Sequence, residues 1–181
     1  MNTVSPIRSP QTIQLMKTLL KDQSYRNYFL FVAGINIGIR ICDLLKLRVK
    51  DVRNQSHLII REQKTNKEKR FLINGNLQKE IALFIEGKSD NEFIFLSREG
   101  QGKALTRVSA WRILKSAAEE AGVTNVGTHT LRKTFGYHFY KLTKDIAMLQ
   151  KIFNHTSPWV TLKYIGITQD EMDESVEKFS L

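Results

Sequence analysis

Four side chains in the last third of the chain have types and spacing that suit phosphate chemistry. His129 and Arg132 stand three residues apart, which on a helix puts both on one face. His155 lies in an Asn-His-Thr-Ser-Pro turn, and Tyr164 follows nine residues later on a short segment after Pro158. Upstream, Arg40 sits in an apolar run and Lys64 in a lysine-rich turn. Such a set fits a phosphate with a hydroxyl beside it. Moving a phosphodiester onto a tyrosine spreads negative charge over the non-bridging oxygens, so positioned positive donors lower the barrier. Arginine suits this role because its planar fork donates two parallel hydrogen bonds and stays charged, which makes Arg40 and Arg132 the candidates. Lys64 on a hairpin could protonate the leaving oxygen. His129 and His155 could take the nucleophile's proton or hold a phosphate oxygen. Tyr164 would be the nucleophile, and its phenol needs help to ionise at neutral pH.

These residues need a scaffold. The chain has 181 residues, enough for one well-buried domain. It carries 28 Lys and Arg against 18 Asp and Glu, a net charge of +10. That excess favours polyanions, nucleic acid before an anionic membrane surface. No apolar run approaches the roughly 18 residues of a membrane span, and Met1 to Pro10 has no apolar signal core. One cysteine, Cys42, rules out an internal disulfide and points to a reducing cytoplasm; among apolar neighbours it reads as a small core residue.

Residues 1–9 read as a flexible lead-in, with a single domain over 10–181. Thr12 is the candidate cap of a first helix through about Leu20. Ser24 opens a second, crowded with Tyr28, Phe29, Phe31, Val32 and Ile35 and punctuated by Gly34 and Gly38, and Arg40 starts a short helix after it. His57 to Arg61 and Arg70 to Ile73 are short β-type runs joined by the Lys64–Lys67 turn. Asn76 is the candidate cap of the next helix, which stops at Gly87, and residues 93–96 form a buried extended piece. Thr106 caps a long helix with Val108, Trp111, Ile113 and Leu114 inward. Ile146 to Phe153 is helical, and residues 169–179 form an amphipathic tail helix with Met172, Val176 and Phe179. The fold class expected is mainly α with a small antiparallel β hairpin.

At this level of detail the chain resembles the catalytic domain of the tyrosine recombinases, the phage integrase family. The resemblance rests on Gly38-Ile-Arg40-Ile-Cys-Asp43-Leu-Leu, on Lys64 in QKTNKEKRFLI, on His129-Thr-Leu-Arg132, on His155-Thr-Ser-Pro158 and on Tyr164. Each motif alone is weak; six positions in the family's order, from about residue 10 to the C-terminus, are not. The resemblance implies tyrosine attack to give a 3′-phosphotyrosyl link and a free 5′ hydroxyl, reversed by a second strand's hydroxyl. It implies no cofactor, no metal and no small-molecule substrate. It also implies double-stranded DNA as partner, with other protomers joined through the tail helix in a DNA-bound synaptic complex. The tail docking in cis on its own core is the plain alternative. Departures are Ile37 for a usual Thr, Asp43 for Glu, Asn154 for Gly and Lys133 for a second histidine. Most relatives also carry an N-terminal DNA-binding domain, which this chain is too short to hold. It is expected to be either an excised catalytic domain or a small catalytic-only member resembling the fimbrial-switch invertases.

Lys46, Arg48, Lys50, Arg53, Lys67, Lys69, Arg70, Arg107 and Arg112 are the candidate duplex contacts, with a solvated surface as the alternative for about half of them. His57 and His138 read as structural, and Trp159 as packing, with a phosphate contact as the minority alternative. Two competing functions share these features: a catalytically silent DNA-binding regulator of the same fold, and a type IB-like topoisomerase.

Overall fold

Ser9 accepts a hydrogen bond from the backbone of Thr12 and Pro10 takes the first helical position, so helix α1 runs Pro10–Gln23 in the computed structural model. The cap expected at Thr12 therefore lies three residues earlier, at a serine followed by proline. The structure describes residues 4–61, 68–100, 102–167, 171, 173 and 176–179. Ser24 caps α2 (Tyr25–Ile37), which buries Phe29, Leu30, Phe31, Val32 and Ala33 nearly all round. Gly38 ends it at φ 73°, a left-handed conformation open to glycine at little cost. Arg40 then caps the single turn α3 (Ile41–Leu44). Ile41 and Leu44 take the inward positions of that turn, which leaves Cys42 exposed rather than in the core.

Strands β1 (His57–Arg61) and β2 (Glu68–Leu72) pair antiparallel, His57 opposite Leu72 and Arg61 opposite Glu68. Lys64 and Lys67 lie outside the described residues. Asn74, not Asn76, caps α4 (Gly75–Ile85) by accepting from the Leu77 amide. Residues 93–96 are held by two isolated bridges, Arg48 to Phe93 and Leu96 to Ala104. Thr106 caps α5 (Arg107–Glu120), whose inward face is Ala110, Leu114, Ala117 and Ala118. Val108, expected inward, is 51% exposed. Helices α6 (Thr130–Thr143), α7 (Ile146–Phe153) and α8 (Pro158–Ile165) complete the body. The tail falls largely outside the described residues; of it, 171, 173, 176 and 177 are helical. Among the described residues no helix is long and apolar enough to cross a membrane. The fold is mainly α with one antiparallel hairpin, as expected.

Two apolar clusters meet along α6. Leu131 belongs to the larger one, built on α1, α2, α4 and α5. Tyr137 belongs to the smaller one, with Leu149, Phe153, Ile165 and Ile167. Burial of Phe153 or Ile165, both fully inaccessible, stabilises by about 1.5–3 kcal/mol each. Glycines allow the close approaches. A Cβ on Gly34 would run into Leu131, and one on Gly136 would lie 2.7 Å from both Ile165 and Phe153. So α6 packs Leu131 on the backbone of α2, while α7 and α8 pack on the backbone of α6, and the polar seam between the clusters is where the candidate residues collect.

Residues 4–9 differ from the lead-in expected for 1–9. The Ser5 amide donates to the Asn125 carbonyl and the Ile7 amide to Thr134 Oγ1 at 2.9 Å. Arg8 donates to the Gly166 carbonyl just past α8, and Ile7 is 3% exposed. The segment straps the outer side of α6 to the end of α8.

Candidate active site

Arg132 lies at the centre of the seam. Its position in the first turn of α6 aims the side chain between the end of α2 and the end of α7. Nη1 donates to the Gly38 carbonyl at 2.7 Å and Nη2 to the Phe153 carbonyl at 3.0 Å. The guanidinium carbon lies 4.2 Å from the Phe153 ring centroid. Arg132 is 5% exposed, and its charge favours the ionised form of the Tyr164 phenol. The guanidinium plane is thus fixed by its surroundings before any ligand arrives, which cuts the ordering cost of binding an anion.

His129 is the residue before α6, at φ −95°. Its Nδ1 lies 3.3 Å from the Tyr164 hydroxyl. Tyr164 is carried on α8, whose cap is Ser157 and whose inward positions are Thr161 and Ile165. The same cap geometry turns Trp159 outward, 56% exposed, against the packing expected for it. His155 follows Asn154, which ends α7 in the left-handed region at φ 56°. Asn enters that region more readily than most residues, so the departure from glycine is accommodated. The His155 ring centroid is 5.0 Å from that of Tyr164. The Thr161 hydroxyl donates to the Ser157 carbonyl at 3.1 Å and so meets His155 Nδ1, also at 3.1 Å, as an acceptor. That pairing puts the proton on Nδ1 and leaves Nε2 free to accept in the neutral ring.

Arg40, at the cap of α3, is exposed and lines a small cavity with Asp43, Lys69, Phe71, Ile152 and Arg132. Its charge reaches all three titratable partners. Burial pushes the His129 imidazole below its usual range, and Arg132, Lys133, Arg40 and Arg107 push it further. Burial also lowers His155, helped by Arg132, Arg40 and Lys69. Burial raises the Tyr164 phenol, while Arg132 and Arg40 pull it back down. The resting site therefore holds a protonated phenol facing neutral imidazoles.

Five of the six expected catalytic positions thus meet in one place: Arg40, His129, Arg132, His155 and Tyr164. The sixth, Lys64, is outside the described residues. The basic residues expected to touch a duplex divide. Lys69 on β2 and Arg107 at the start of α5 are close enough for their charge to reach the site. Lys46, Arg70 and Arg112 are exposed. Arg48 lies 4.1 Å from the Phe93 ring and donates to the Asn91 carbonyl. Lys50 meets Asn91 Oδ1 at 3.3 Å, and Arg53 pairs with Asp90 at 2.7 Å. Those three fasten the 46–53 segment to residues 88–91. His57 bonds Ser56 and His138 meets the Ile7 carbonyl, in keeping with structural roles.

Two further residues carry the site and were not picked out from sequence. Thr161 is fully buried; its spacing of six from His155 and four from Ser157 was the available signal. Lys133 was noted only as a departure, yet its Nζ lies 5.1 Å from the Tyr164 ring centroid.

Comparison with known proteins shows the family of the chain. The pattern of the phage integrase family spans residues 7–171. The chain is 49% identical over 170 residues to the probable integrase/recombinase YoeC of Bacillus subtilis (strain 168), covering 94% of this chain and 93% of that protein. It is 28% identical over 171 residues to the tyrosine recombinase XerA of Pyrococcus furiosus, covering 93% of this chain and 59% of that one. A crystal structure of XerA recombinase superposes with a TM-score of 0.75 at 18% identity, over 98% of this chain and 66% of that one. The chain spans nearly all of YoeC but about three-fifths of the archaeal XerA. The chain belongs to the phage integrase family, that of the tyrosine recombinases.

Proposed function

We propose that this phage integrase family member is a site-specific DNA recombinase that breaks and rejoins double-stranded DNA through a covalent tyrosine link. The observation that carries the reading is the Tyr164 hydroxyl 3.3 Å from His129 Nδ1, with the charge of the fixed Arg132 guanidinium favouring the ionised phenol. His129 takes the phenol proton as Tyr164 Oη attacks the scissile phosphorus. Arg40 and Arg132 donate to the non-bridging oxygens as charge builds on them, and His155 adds a donor through Nε2 once its ring takes up a second proton beside the phosphate. The phosphorus–O5′ bond breaks and Lys64 protonates the departing 5′ oxygen, leaving a 3′-phosphotyrosyl link. A 5′ hydroxyl from a second strand reverses each step. The phosphotyrosine keeps the energy of the phosphodiester, so the sequence as written consumes no cofactor. The net charge of +10 favours the duplex, with Lys46, Lys69, Arg70, Arg107 and Arg112 as the stronger candidates for backbone contact. Neighbouring protomers exchange the tail helix, and a DNA substrate puts the reaction in the cytoplasm.

The test is covalent trapping. Nicked duplexes tiling the DNA on both sides of the gene are incubated with the protein and resolved under denaturing conditions. The expected result is a protein–DNA adduct that is lost in Tyr164→Phe. Binding without an adduct would leave a silent regulator of the same fold. Joining of two defined sites separates a recombinase from a relaxing topoisomerase.

A further inference from the structure

Lys133 follows Arg132 on α6 and is 8% exposed. Its ammonium group makes a 2.6 Å hydrogen bond to the Val4 carbonyl and lies over the face of the Tyr164 ring, 5.1 Å from its centroid. The same ring meets Phe153, His155 and His129 at 76°, 72° and 85° between planes. Three aromatic neighbours stand at its sides in steep, edge-type arrangements, and an ammonium from α6 stands over its face. A buried lysine loses hydration, and such a group persists where other interactions offset that loss. Here those are a backbone carbonyl and a π face, the latter strengthened by the exclusion of water.

We propose that Lys133 is a positioning residue for the tyrosine nucleophile, its ammonium holding the Tyr164 ring in line for attack and tying that placement to residues 4–8. This rests on the reading of Tyr164 as nucleophile. The strap supplies the other half of the geometry. Arg8 donates to the Gly166 carbonyl at the end of α8, and Arg8 and Lys141 both lie 3.8 Å from Glu171 beyond it. Residues 4–8 thus meet Lys133 at one end and the exit of the tyrosine helix at the other. The Lys133 charge also bears on His129, lowering it alongside Arg132, Arg40 and Arg107. The groups that face the His129–Tyr164 pair are therefore Arg132 and Lys133 on α6, Arg40 before α3, Arg107 on α5 and His155 after α7.

Three variants separate the ammonium from its bond to Val4. Lys133→Met removes both, Lys133→Gln keeps a donor for the carbonyl without charge, and Lys133→Arg keeps charge. Single-turnover adduct formation on the nicked duplex pool is expected to slow about tenfold in the Met and Gln variants, with duplex binding unchanged and partial rescue by Arg. Wild-type rates in the Gln variant would reduce Lys133 to a tether for Val4 and overturn the proposal. The second measurement needs no DNA. In protein labelled with carbon-13 tyrosine, the Tyr164 ring resonances, identified by their loss in Tyr164→Phe, are expected to shift in Met and Gln and return in Arg. Unchanged resonances in folded Lys133→Met would overturn it as well. If wild-type protein forms no adduct, the reading of the function fails while the ring resonances still decide on Lys133.

Discussion

Gly136→Ala offers a demanding test of how Tyr164 is placed. Gly136 lies on α6 where both α7 and α8 press against the backbone, and an added Cβ would sit 2.7 Å from Ile165 Cγ2 and from Phe153 Cε2 and Cζ. Ordinary carbon contacts begin near 3.5 Å, so something must move by nearly 1 Å. Neither neighbour has room, since Ile165 and Phe153 are fully buried. Alanine would gain up to about 1 kcal/mol of helix propensity over glycine. Overpacking of a tight core costs about 1–3 kcal/mol, so the net change in stability is between neutral and about 2 kcal/mol lost. The functional change should be far larger. Ile165 adjoins Tyr164, and a displacement of roughly 1 Å at a reacting group costs about a hundredfold in rate. The assay is single-turnover adduct formation beside urea unfolding of the same protein. Gly75→Ala, where an added Cβ meets nothing within 4 Å, serves as the control. A Gly136→Ala protein that forms adducts at the wild-type rate would refute the claim that α6 sets the position of the nucleophile.

Three further outcomes follow from the site and its surroundings. Thr161→Val keeps the volume of the buried threonine but removes the acceptor for His155 Nδ1–H; a lost hydrogen bond of about 1 kcal/mol should slow adduct formation about fivefold to tenfold with little change in DNA affinity. Because His129 and His155 are both held below 6.5 in the folded chain, the unfolded chain binds more protons just below that pH. Their contribution to stability is present above pH 6.5 and is lost as pH falls through the folded values, a slope that urea titrations should find reduced in His129→Asn. Arg53→Ala breaks the pair with Asp90 and should cost about 0.5–1 kcal/mol of stability while leaving the salt dependence of DNA binding alone, whereas exposed Lys46→Ala should reduce that salt slope by about one unit without destabilising the fold.

The residues of the site were legible because they lie in short local motifs. His129 and Arg132 share one helix start, and His155 and Tyr164 bracket one cap. What holds them was not. Gly136 gives no sign of being a packing glycine until Ile165 and Phe153, nearly thirty and seventeen residues away, fold back onto it. The strap was misread because Ser5, Pro6 and Ser9 have the composition of a loose terminus; Ile7 is buried by contacts with residues more than a hundred positions away. Cap positions failed in one direction. At Thr12 and Asn76 a good capping residue stands three and two positions past the residue, Ser9 or Asn74, that already caps the helix. The 46–53 cluster shows the limit of charge counting, since Arg48, Lys50 and Arg53 bind the 88–91 segment of the protein itself.

The electrostatics of the site imply a coupling between substrate and base. His129 is held neutral first by burial and then by four cations, Arg132, Lys133, Arg40 and Arg107. A phosphodiester drawn against Arg132 and Arg40 would cancel part of the Coulombic contribution while leaving the burial in place. The imidazole should then hold a proton more readily once the phosphate has arrived, when Tyr164 has a proton to give up. Proton transfer would thus be disfavoured in the free protein, where an ionised phenol serves no purpose, and eased at the moment of attack. Following the His129 ring by proton NMR in Tyr164→Phe, with and without duplex DNA, reads this directly. Its midpoint should rise on binding; a midpoint that stays or falls would mean the phosphate does not settle against the two arginines, and the assignment of Arg40 and Arg132 would have to be given up.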